Sequence, residues 1–385
     1  MSKKIRVVMQ QSMLVKYRIP FFRMLAARDG IDFTLLYGKF PGIPNVPADG
    51  LGFHAEYAPF HRLGAGRLAV FWQTAQLQTV RRGRADVAIM AWNTHYVSLL
   101  PALLRAKANG VPTILWGHGY SKREGALRRG MRNRLGRLGT TVIVYSHAAA
   151  RRLCTEGWEP ERVFVAQNAL DQTPIASARA AWSHENGRLA TFQRQNALAG
   201  ADMLLYVSRF HPENRVDLLL HAVAKLRPEF PRIQAVLIGK VNAEAERMQA
   251  LAKQLGIEHH VRFLGAIYEE EKIAPWFLSA KVFVYPANIG LSILHAFGYG
   301  LPVVTGDNIA QQNPEIDALV RGQNGELFAD GDCTALANTL AGLLRDDERR
   351  ASMGRNASET VQGEYNINTM VDGMEAAIRT CVAGG

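Results

Sequence analysis

The chain has 385 residues, of which 48% are hydrophobic and 21% charged, and its formal net charge is +11 at pH 7. This length suits two domains that each bury a core, and no apolar run approaches the ~18 residues of a membrane-spanning helix. The charge favours anionic partners such as nucleotide sugars, lipid headgroups or nucleic acid. Three cysteines without metal-ligand spacing are typical of a reducing compartment, so we predict a cytoplasmic protein.

The N-terminal half alternates strand and helix patterns. A buried strand at 5–10 precedes a helix over 17–27 and a strand at 31–37, and a helix is predicted over 68–81. Further strands are predicted at 86–90, 112–116, 141–145 and 163–166. Ser146 is expected to cap the helix that follows the third of these. This alternation predicts an α/β domain with a parallel sheet, which we place at residues 1–171.

A second alternating series begins after a linker and interdomain helix at 172–201. It predicts another Rossmann-like domain over 202–364, followed by a helix in 365–385 that we expect to pack back across the domains. The stretch from Val282 to Thr305 is typical of a strand, a turn at Gly290, a short helix and a strand. A helix that begins beside Asn288 would present N–H groups that attract a nucleotide diphosphate. The alternative is a βαβ element that holds no ligand.

One histidine, His118, lies between two glycines directly after the predicted strand 112–116. Ligands of open parallel sheets bind at the carboxyl ends of strands, so His118 is placed to meet one. The alternative is a structural histidine whose ring is satisfied within the fold.

Seven basic residues lie within 122–138 and alternate with apolar residues at helical spacing. They are Lys122, Arg123, Arg128, Arg129, Arg132, Arg134 and Arg137, and the apolar residues are Leu127, Met131, Leu135 and Leu138. A basic amphipathic helix of this kind can lie on an anionic membrane, each basic residue contributing about 1 kcal/mol. The alternative is a solvated basic face over a core stripe. We predict no nucleic-acid partner, because no stacking aromatic residues or nucleic-acid module accompany the charges.

The order of short motifs over nearly the whole chain resembles a retaining glycosyltransferase of family 4. The second predicted domain opens with Ser208-Arg209-Phe210 and Glu213-Asn214, where the family has Gly-Arg-Leu and Glu-Lys. The stretches 290–296, 300–304, 314–316 and 324–328 follow in the family's order, and 118–119 and 168–171 match in the N-terminal half. The resemblance implies the α/β fold called GT-B, in which two Rossmann-like domains face their parallel sheets across a cleft.

The sequence departs from the family at three positions. Asn214 stands where the family has a lysine, and we expect Arg215 to replace the lost charge. The two glutamates of the family's Glu-x7-Glu motif fall on Ala287 and His295, so the motif is degenerate. Asn288 and His295 are expected to contact the donor instead. The missing first glutamate leaves open a front-face transfer without a carboxylate nucleophile.

The resemblance implies transfer of a sugar, with retention, from a UDP- or GDP-linked donor to a hydroxyl of a glycan or lipid-linked saccharide. It implies a role in bacterial-type cell-surface polysaccharide or glycolipid assembly, at the inner face of the membrane, with no metal and no cofactor beyond the nucleotide sugar. The catalytic residues are then His118, Arg209 and Arg215. Donor binding falls to Ser208, Asn214, Asn288, Gly290, Leu291, His295 and Glu315.

The acceptor side is inferred from strand-end position alone. We expect acceptor binding by residues that follow the first strand, namely Gln10, Gln11, Tyr17 and Arg18, with Ser12 beside them. The alternative to an enzyme is a catalytically silent nucleotide-sugar-binding regulatory or scaffold protein.

Overall fold

The computed structural model describes residues 3–66, 69–122, 125–184 and 187–383, and only the backbone of His184. The chain divides into two compact units. The first unit contains Met1–Asn168 together with Ile367–Gly385, and the second contains Ala169–Asn366. Among the described residues, no helix combines the length and the apolar composition needed to cross a bilayer.

The first unit is built on a seven-stranded parallel sheet in the order β3-β2-β1-β6-β7-β8-β9, beside a separate antiparallel hairpin of β4 and β5. Its elements are β1 (Ile5–Gln11), α1 (Ile19–Ala26), β2 (Ile31–Tyr37), β3 (His54–Tyr57), β4 (Phe60–Leu63), β5 (Val70–Gln73), α2 (Thr74–Thr79), β6 (Val87–Ala91), α3 (Leu99–Asn109), β7 (Thr113–Gly117), α4 (Ala126–Leu138), β8 (Thr141–Val144), α5 (His147–Thr155) and β9 (Val163–Val165). Strands β6, β7 and β8 are buried almost throughout, as expected of parallel strands covered on both faces.

The second unit has a six-stranded parallel sheet in the order β12-β11-β10-β13-β14-β15. Its elements are α6 (Thr173–His184), α7 (Arg188–Gln195), β10 (Asp202–Val207), α8 (Val216–Leu226), β11 (Ile233–Ile238), α9 (Ala243–Gln254), β12 (Val261–Phe263), α10 (Glu270–Ser279), β13 (Val282–Val284), α11 (Ser292–Gly298), β14 (Val303–Gly306), β15 (Gly325–Phe328), α12 (Cys333–Arg345) and α13 (Asp347–Gly363). The last helix, α14 (Ile367–Ala383), belongs to the first unit.

Close packing joins α14 to the first sheet. A Cβ atom added at Gly373 would lie 2.1 Å from the carbonyl oxygen of Val165, so only glycine allows the helix to approach β9 this closely. Arg28 pairs with Glu375 at 3.4 Å, and the Thr141 hydroxyl lies 3.3 Å from the Cys381 sulfur. The helix is therefore an integral layer of the first unit.

Most predicted strands are confirmed, and so is the Ser146 cap, whose hydroxyl accepts the Ala149 N–H at 3.2 Å. The predicted helix over 68–81 is wrong at its start. Residues 70–73 form β5, because the β-branched and aromatic side chains of this stretch pair with β4, and the helix is confined to Thr74–Thr79. Leu68 lies outside the described residues.

Candidate functional site

In the second sheet, the order of the strands along the chain reverses between two central strands. Strand β10 pairs with β11 on one side and with β13 on the other, so the strand order reverses there. Ligands of open α/β sheets bind outside the carboxyl ends of the strands at such a point. The loops that follow β10, β13 and β14, at 208–215, 285–291 and 307–315, carry all donor-binding residues predicted from the sequence except His295.

Side-chain amides hold the middle loop in an unusual conformation. Asn288 has a φ of 61°, in the left-handed region that asparagine tolerates better than most residues. Its Nδ2 donates to Asn214 Oδ1 at 3.3 Å, and Asn313 Nδ2 donates to the Asn288 carbonyl at 2.9 Å. Gln312 Oε1 accepts the Ile289 N–H at 2.7 Å. The three loops are thus joined through this amide network.

The expected helix start beside Asn288 is wrong. Helix α11 begins at Ser292, because the left-handed Asn288 interrupts helical geometry, and the Ile289 N–H is already used by Gln312. Gly290 and Leu291 lie between them. A Cβ atom added at Gly290 would meet Asn313 at 3.4 Å and Glu315 Oε2 at 3.8 Å, which are ordinary contacts. The buried Glu315 carboxylate therefore lies near the backbone of Gly290.

Asn214 is buried and hydrogen-bonded to neighbouring protein groups. Its side chain is 3% exposed, and Nδ2 donates at 2.9 Å both to the Tyr206 hydroxyl and to the Arg209 carbonyl. The sequence prediction placed it against the donor, but these bonds turn the amide inward. Burial raises the pKa of Tyr206, so that phenol stays protonated and bonds the Arg209 carbonyl. Ser208 accepts a hydrogen bond from the Tyr285 hydroxyl at 3.1 Å.

Arg209 and Arg215, the two arginines predicted to act on the donor, differ in whether another protein group already pairs with their charge. Arg215, at a φ of 52°, pairs with Asp217 through Nε and Nη2, both at 3.1 Å. The Asp217 carboxylate neutralises the positive charge of Arg215, which we predicted from the sequence to act on the donor. The Arg209 side chain is exposed and has no ion-pair partner within the described parts of the chain. Burial raises the pKa of Tyr285, and hydrogen bonds with Ser208 and Tyr206 and, last, the positive charge of Arg209 act in the opposite direction.

His295 lies beside a carboxylate that sequence reasoning missed. Its Nε2 is 2.8 Å from Glu270 Oε1, which also accepts the Tyr299 hydroxyl at 2.6 Å. The Phe277 ring packs on His295 at a centroid distance of 4.5 Å. Burial and, second, the bond to Glu270 raise the pKa of Tyr299. No sequence signal joins Glu270 to His295, because they lie 25 residues apart on different helices.

His118 follows β7 in the first unit, and the residue is exposed. The rings of His118 and Tyr145 lie 4.9 Å apart. Desolvation by neighbouring protein atoms lowers the pKa of His118 from 6.5 to about 4, and the charges of Arg18 and Lys122 lower it further. His118 is therefore a neutral imidazole at pH 7.

The predicted acceptor residues differ in how far they are buried. Gln10 is fully buried, and its Oε1 accepts the Ala91 N–H at 3.0 Å, so it braces neighbouring strands. Arg18 is 8% exposed and lies over the rings of Trp116 and Tyr145. Tyr17 is exposed and Gln11 is half-buried. The prediction failed for Gln10 because a residue inside a strand points into the layer that covers the sheet.

The segment 122–138 presents its apolar side chains to solvent. Leu127 is 90% exposed and Met131 47%. With Leu100 of α3 they border a groove of about 490 Å³. Arg132 points inward and pairs with Glu156 at 3.1 Å, whereas Arg123 lies outside the described residues. The exposed Leu127 and Met131 do not match the alternative interpretation of this helix, in which its apolar stripe packs on the core.

Metal ligands are not clustered in the described parts of the chain. No group of three or more histidine, cysteine, aspartate or glutamate side chains is arranged there to hold an ion.

Two family models match the chain and together cover both units. The model of Glycosyltransferase Family 4 matches residues 23–173, and that of Glycosyl transferases group 1 matches 189–360. The chain is 28% identical to a D-inositol 3-phosphate glycosyltransferase of Frankia alni over 79% of this chain and 78% of that one. It is 31% identical to a phosphatidyl-myo-inositol mannosyltransferase of Mycobacterium leprae over 47% of each chain. The matched part of the chain spans less than half the length of seven of the curated relatives, the mycobacterial one included.

Solved structures confirm the predicted fold class. An Anabaena protein, HepE, crystallised with UDP, has a TM-score of 0.72 and 18% identity over 96% of this chain and 98% of its own. At this identity the likeness shows the fold alone. Both units are Rossmann-like, with parallel sheets and helices between the strands.

The lowered pKa of His118 predicts a distinctive titration. The unfolded chain takes up a proton at this residue near pH 6.5, but the folded chain does so only near pH 4. Its contribution to the free energy of unfolding is therefore present above pH 6.5 and falls between pH 6.5 and 4. We expect its imidazole resonances in NMR to titrate near pH 4, and His118→Gln to flatten that part of the stability profile. The exposed His61→Gln is the control, and a His118 midpoint above pH 6 would contradict the assignment.

Proposed function

We propose, for a chain that belongs to the GT-B glycosyltransferases of family 4, that it transfers a hexosyl group from a UDP- or GDP-sugar to a hydroxyl of a saccharide acceptor. The observation that carries the proposal is Arg209, an exposed guanidinium at the point where the second sheet reverses its strand order. A diphosphate is the ligand that such a group favours. The HepE structure with UDP supports a nucleotide donor, and the relatives' names support hydroxyl acceptors on cyclic polyols.

Arg209 has the chemistry to stabilise the leaving group. As the bond between the sugar and the diphosphate breaks, negative charge grows on the diphosphate, and preorganised donors stabilise it by several kcal/mol. The guanidinium offers two parallel N–H donors to phosphate oxygens. Its backbone carbonyl is fixed by Tyr206 and Asn214, so the loop needs little reorganisation. We assign Arg215 to holding the loop through Asp217.

Retention is proposed to proceed without an enzyme carboxylate nucleophile. Ala287 stands at the first position of the degenerate Glu-x7-Glu motif and carries no nucleophile. The acceptor hydroxyl then attacks the anomeric carbon from the face that the diphosphate leaves. The new carbon–oxygen bond forms as the bond to the diphosphate breaks, and the acceptor proton passes to a diphosphate oxygen. Because Arg209 stabilises the diphosphate charge, we propose that the reaction is independent of a metal.

His118 is proposed to contact a sugar hydroxyl. It lies at the carboxyl end of β7, where ligands of parallel sheets bind, and its neutral ring can both donate and accept a hydrogen bond. With a pKa of about 4 it carries almost no proton to donate as an acid at pH 7. We therefore assign it binding and orientation of the sugar.

We also propose that α4 rests on an anionic membrane at its cytoplasmic face, where the acceptor is lipid-linked. Leu127, Met131 and Leu138 expose an apolar stripe, and Arg129 and Arg134 are exposed on the same helix. Apolar insertion and attraction to anionic headgroups then act together. The name of the mycobacterial relative, a phosphatidylinositol mannosyltransferase, supports a lipid-linked acceptor.

The test of the function is donor consumption. Thermal shift with UDP, GDP, ADP, dTDP and CMP identifies the nucleotide, since a ligand of the folded state raises the melting temperature. The matching nucleotide sugar is then followed by ³¹P NMR with a saccharide acceptor mixture, with and without EDTA. We expect nucleotide release in both conditions. Binding without any turnover would leave the silent scaffold as the function, and loss of turnover in EDTA restored by magnesium would refute metal independence.

Arg209→Ala should weaken nucleoside diphosphate binding far more than nucleoside binding. A charged hydrogen bond to phosphate contributes about 1.5–3 kcal/mol, so calorimetry should show a loss of one to two orders of magnitude for the diphosphate. Arg215→Ala is the matched control and should lose less, because Asp217 neutralises that charge. An equal loss for nucleoside and diphosphate would exclude a phosphate contact for Arg209.

Vesicle co-sedimentation tests the membrane proposal. The wild type should bind vesicles rich in phosphatidylglycerol at low salt and dissociate as salt rises, because the screening length falls to about 3 Å at 1 M. Leu127→Glu with Arg129→Glu should abolish binding. Arg82→Glu, at an exposed arginine elsewhere in the first unit, should leave it intact. Arg132 is left unchanged, since its loss would break a buried ion pair. Wild-type protein that ignores these vesicles at low salt would refute the proposal.

A further inference from the structure

An apolar groove of about 490 Å³ lies along the exposed side of α4, beside the first turn of α3. Leu100 of α3 lines one wall, and the rest of the lining comes from α4, namely Ala126, Leu127, Gly130, Met131, Arg134, Leu135 and Leu138. At 1.5 Å per residue, a lining from Ala126 to Leu138 extends over about 18 Å. The volume is in the range of about 300–1,000 Å³ that is usual for small-molecule sites.

The inner face of α4 is fixed against the first unit. A Cβ atom added at Gly136 would lie 2.6 Å from the Trp92 ring and 2.7 Å from the Trp158 ring, so only glycine lets the helix approach these rings. Trp92 Nε1 donates to the Arg132 carbonyl at 3.3 Å, and Arg132 pairs with Glu156. The backbone of α4 is therefore held in place, and the groove on its exposed side is already formed.

Gly130, which lines the groove, has no such packing role. A Cβ atom added there would meet no atom within 4 Å, in contrast to one added at Gly136. Glycine in the middle of a helix is less stable than alanine, so this position carries a cost that packing does not explain. The missing side chain leaves open volume in the groove that a ligand can fill.

The groove has basic residues at its rim and no acidic residue on either helix that lines it. Neither α3 nor α4 contains an aspartate or a glutamate. Arg134 lines the groove, and Arg105 of α3 and Arg129 of α4 are also exposed. These three have no ion-pair partner within the part of the chain that the structure describes. Two copies of this face would bring like charges together, whereas an anionic partner is attracted to it.

We propose that this groove binds one hydrocarbon chain of a membrane lipid whose headgroup carries a phosphate. The chain packs on Leu100, Met131 and Leu138 and fills the volume at Gly130, which removes apolar surface from water. The Arg134 guanidinium binds the phosphate. The inference rests on the membrane docking proposed for α4 and goes beyond it. Docking needs only the surface of the helix, whereas here a single chain leaves the bilayer.

Soluble alkyl phosphates test the proposal on the full chain without a bilayer. Calorimetry below the micelle concentration compares hexyl, octyl and decyl phosphate. Inorganic phosphate represents the headgroup alone, and decyltrimethylammonium has the same chain with the opposite charge. Each added methylene should tighten binding by about fourfold, the effect of one buried methylene. Inorganic phosphate and decyltrimethylammonium should each bind more weakly than decyl phosphate by about tenfold or more.

Substitutions at Gly130 separate the groove from the membrane surface. Gly130→Leu places a side chain in the groove and should weaken decyl phosphate by about tenfold or more, because several methylenes lose their site. Gly130→Ala is the matched control and should keep most of the affinity, since its methyl group is small. Gly130→Leu should still bind anionic vesicles, because Leu127 and the basic residues are unchanged. Arg134→Gln should weaken decyl phosphate and leave decyltrimethylammonium no weaker.

Three outcomes would overturn the proposal. They are equal affinity for hexyl and decyl phosphate, wild-type affinity in Gly130→Leu with native circular dichroism, and a dimer in sedimentation that Gly130→Leu dissociates, which would make the groove a contact between copies. Failure of the membrane docking has a different signature, in which the wild type ignores anionic vesicles but still binds decyl phosphate. Failure of the proposed transfer appears only in nucleotide-sugar consumption, which none of these measurements involves.

Discussion

The amide network of Asn214, Asn288, Asn313 and Gln312 is the constraint on which the candidate donor site depends. It joins the loops after β10, β13 and β14 and holds Asn288 in a left-handed conformation. Such a backbone costs of order 1–3 kcal/mol and persists because its neighbours determine it. By delaying α11 until Ser292, the network leaves Gly290 and Leu291 as irregular backbone beside the Glu315 carboxylate.

Ion pairs decide which of the many positive charges are available to a ligand. Arg215 forms an ion pair with Asp217, and Arg132 forms one with Glu156. The sequence alone does not distinguish these two arginines from Arg209 and Arg129. The exposed Arg209 in the second unit and Arg134 in the first remain, each without an ion-pair partner in the described parts of the chain. The net charge of +11 thus reduces, at the candidate donor site and at the groove of α4, to a few well-placed guanidinium groups.

The fold could be predicted from sequence because buried parallel strands leave a strong local signal. The hairpin of β4 and β5 was missed because its pairing is antiparallel and separate from the sheet, and because β5 was assigned to the start of the helix predicted over 68–81. The Glu270 partner of His295, the inward turn of Asn214 and the groove between α3 and α4 were missed for another reason. Each depends on contacts between distant segments, which no spacing along the chain records.

The central claim is that the loops after β10, β13 and β14 bind a nucleoside diphosphate, and hydrogen exchange followed by mass spectrometry tests it most directly. Addition of the nucleotide that stabilises the protein should slow exchange in peptides covering 208–215, 286–291 and 312–316, because bound ligand suppresses opening of these loops. The effect should disappear in Arg209→Ala at the same nucleotide concentration. Slowed exchange confined to the first unit, with no change in these three loops, would contradict the account.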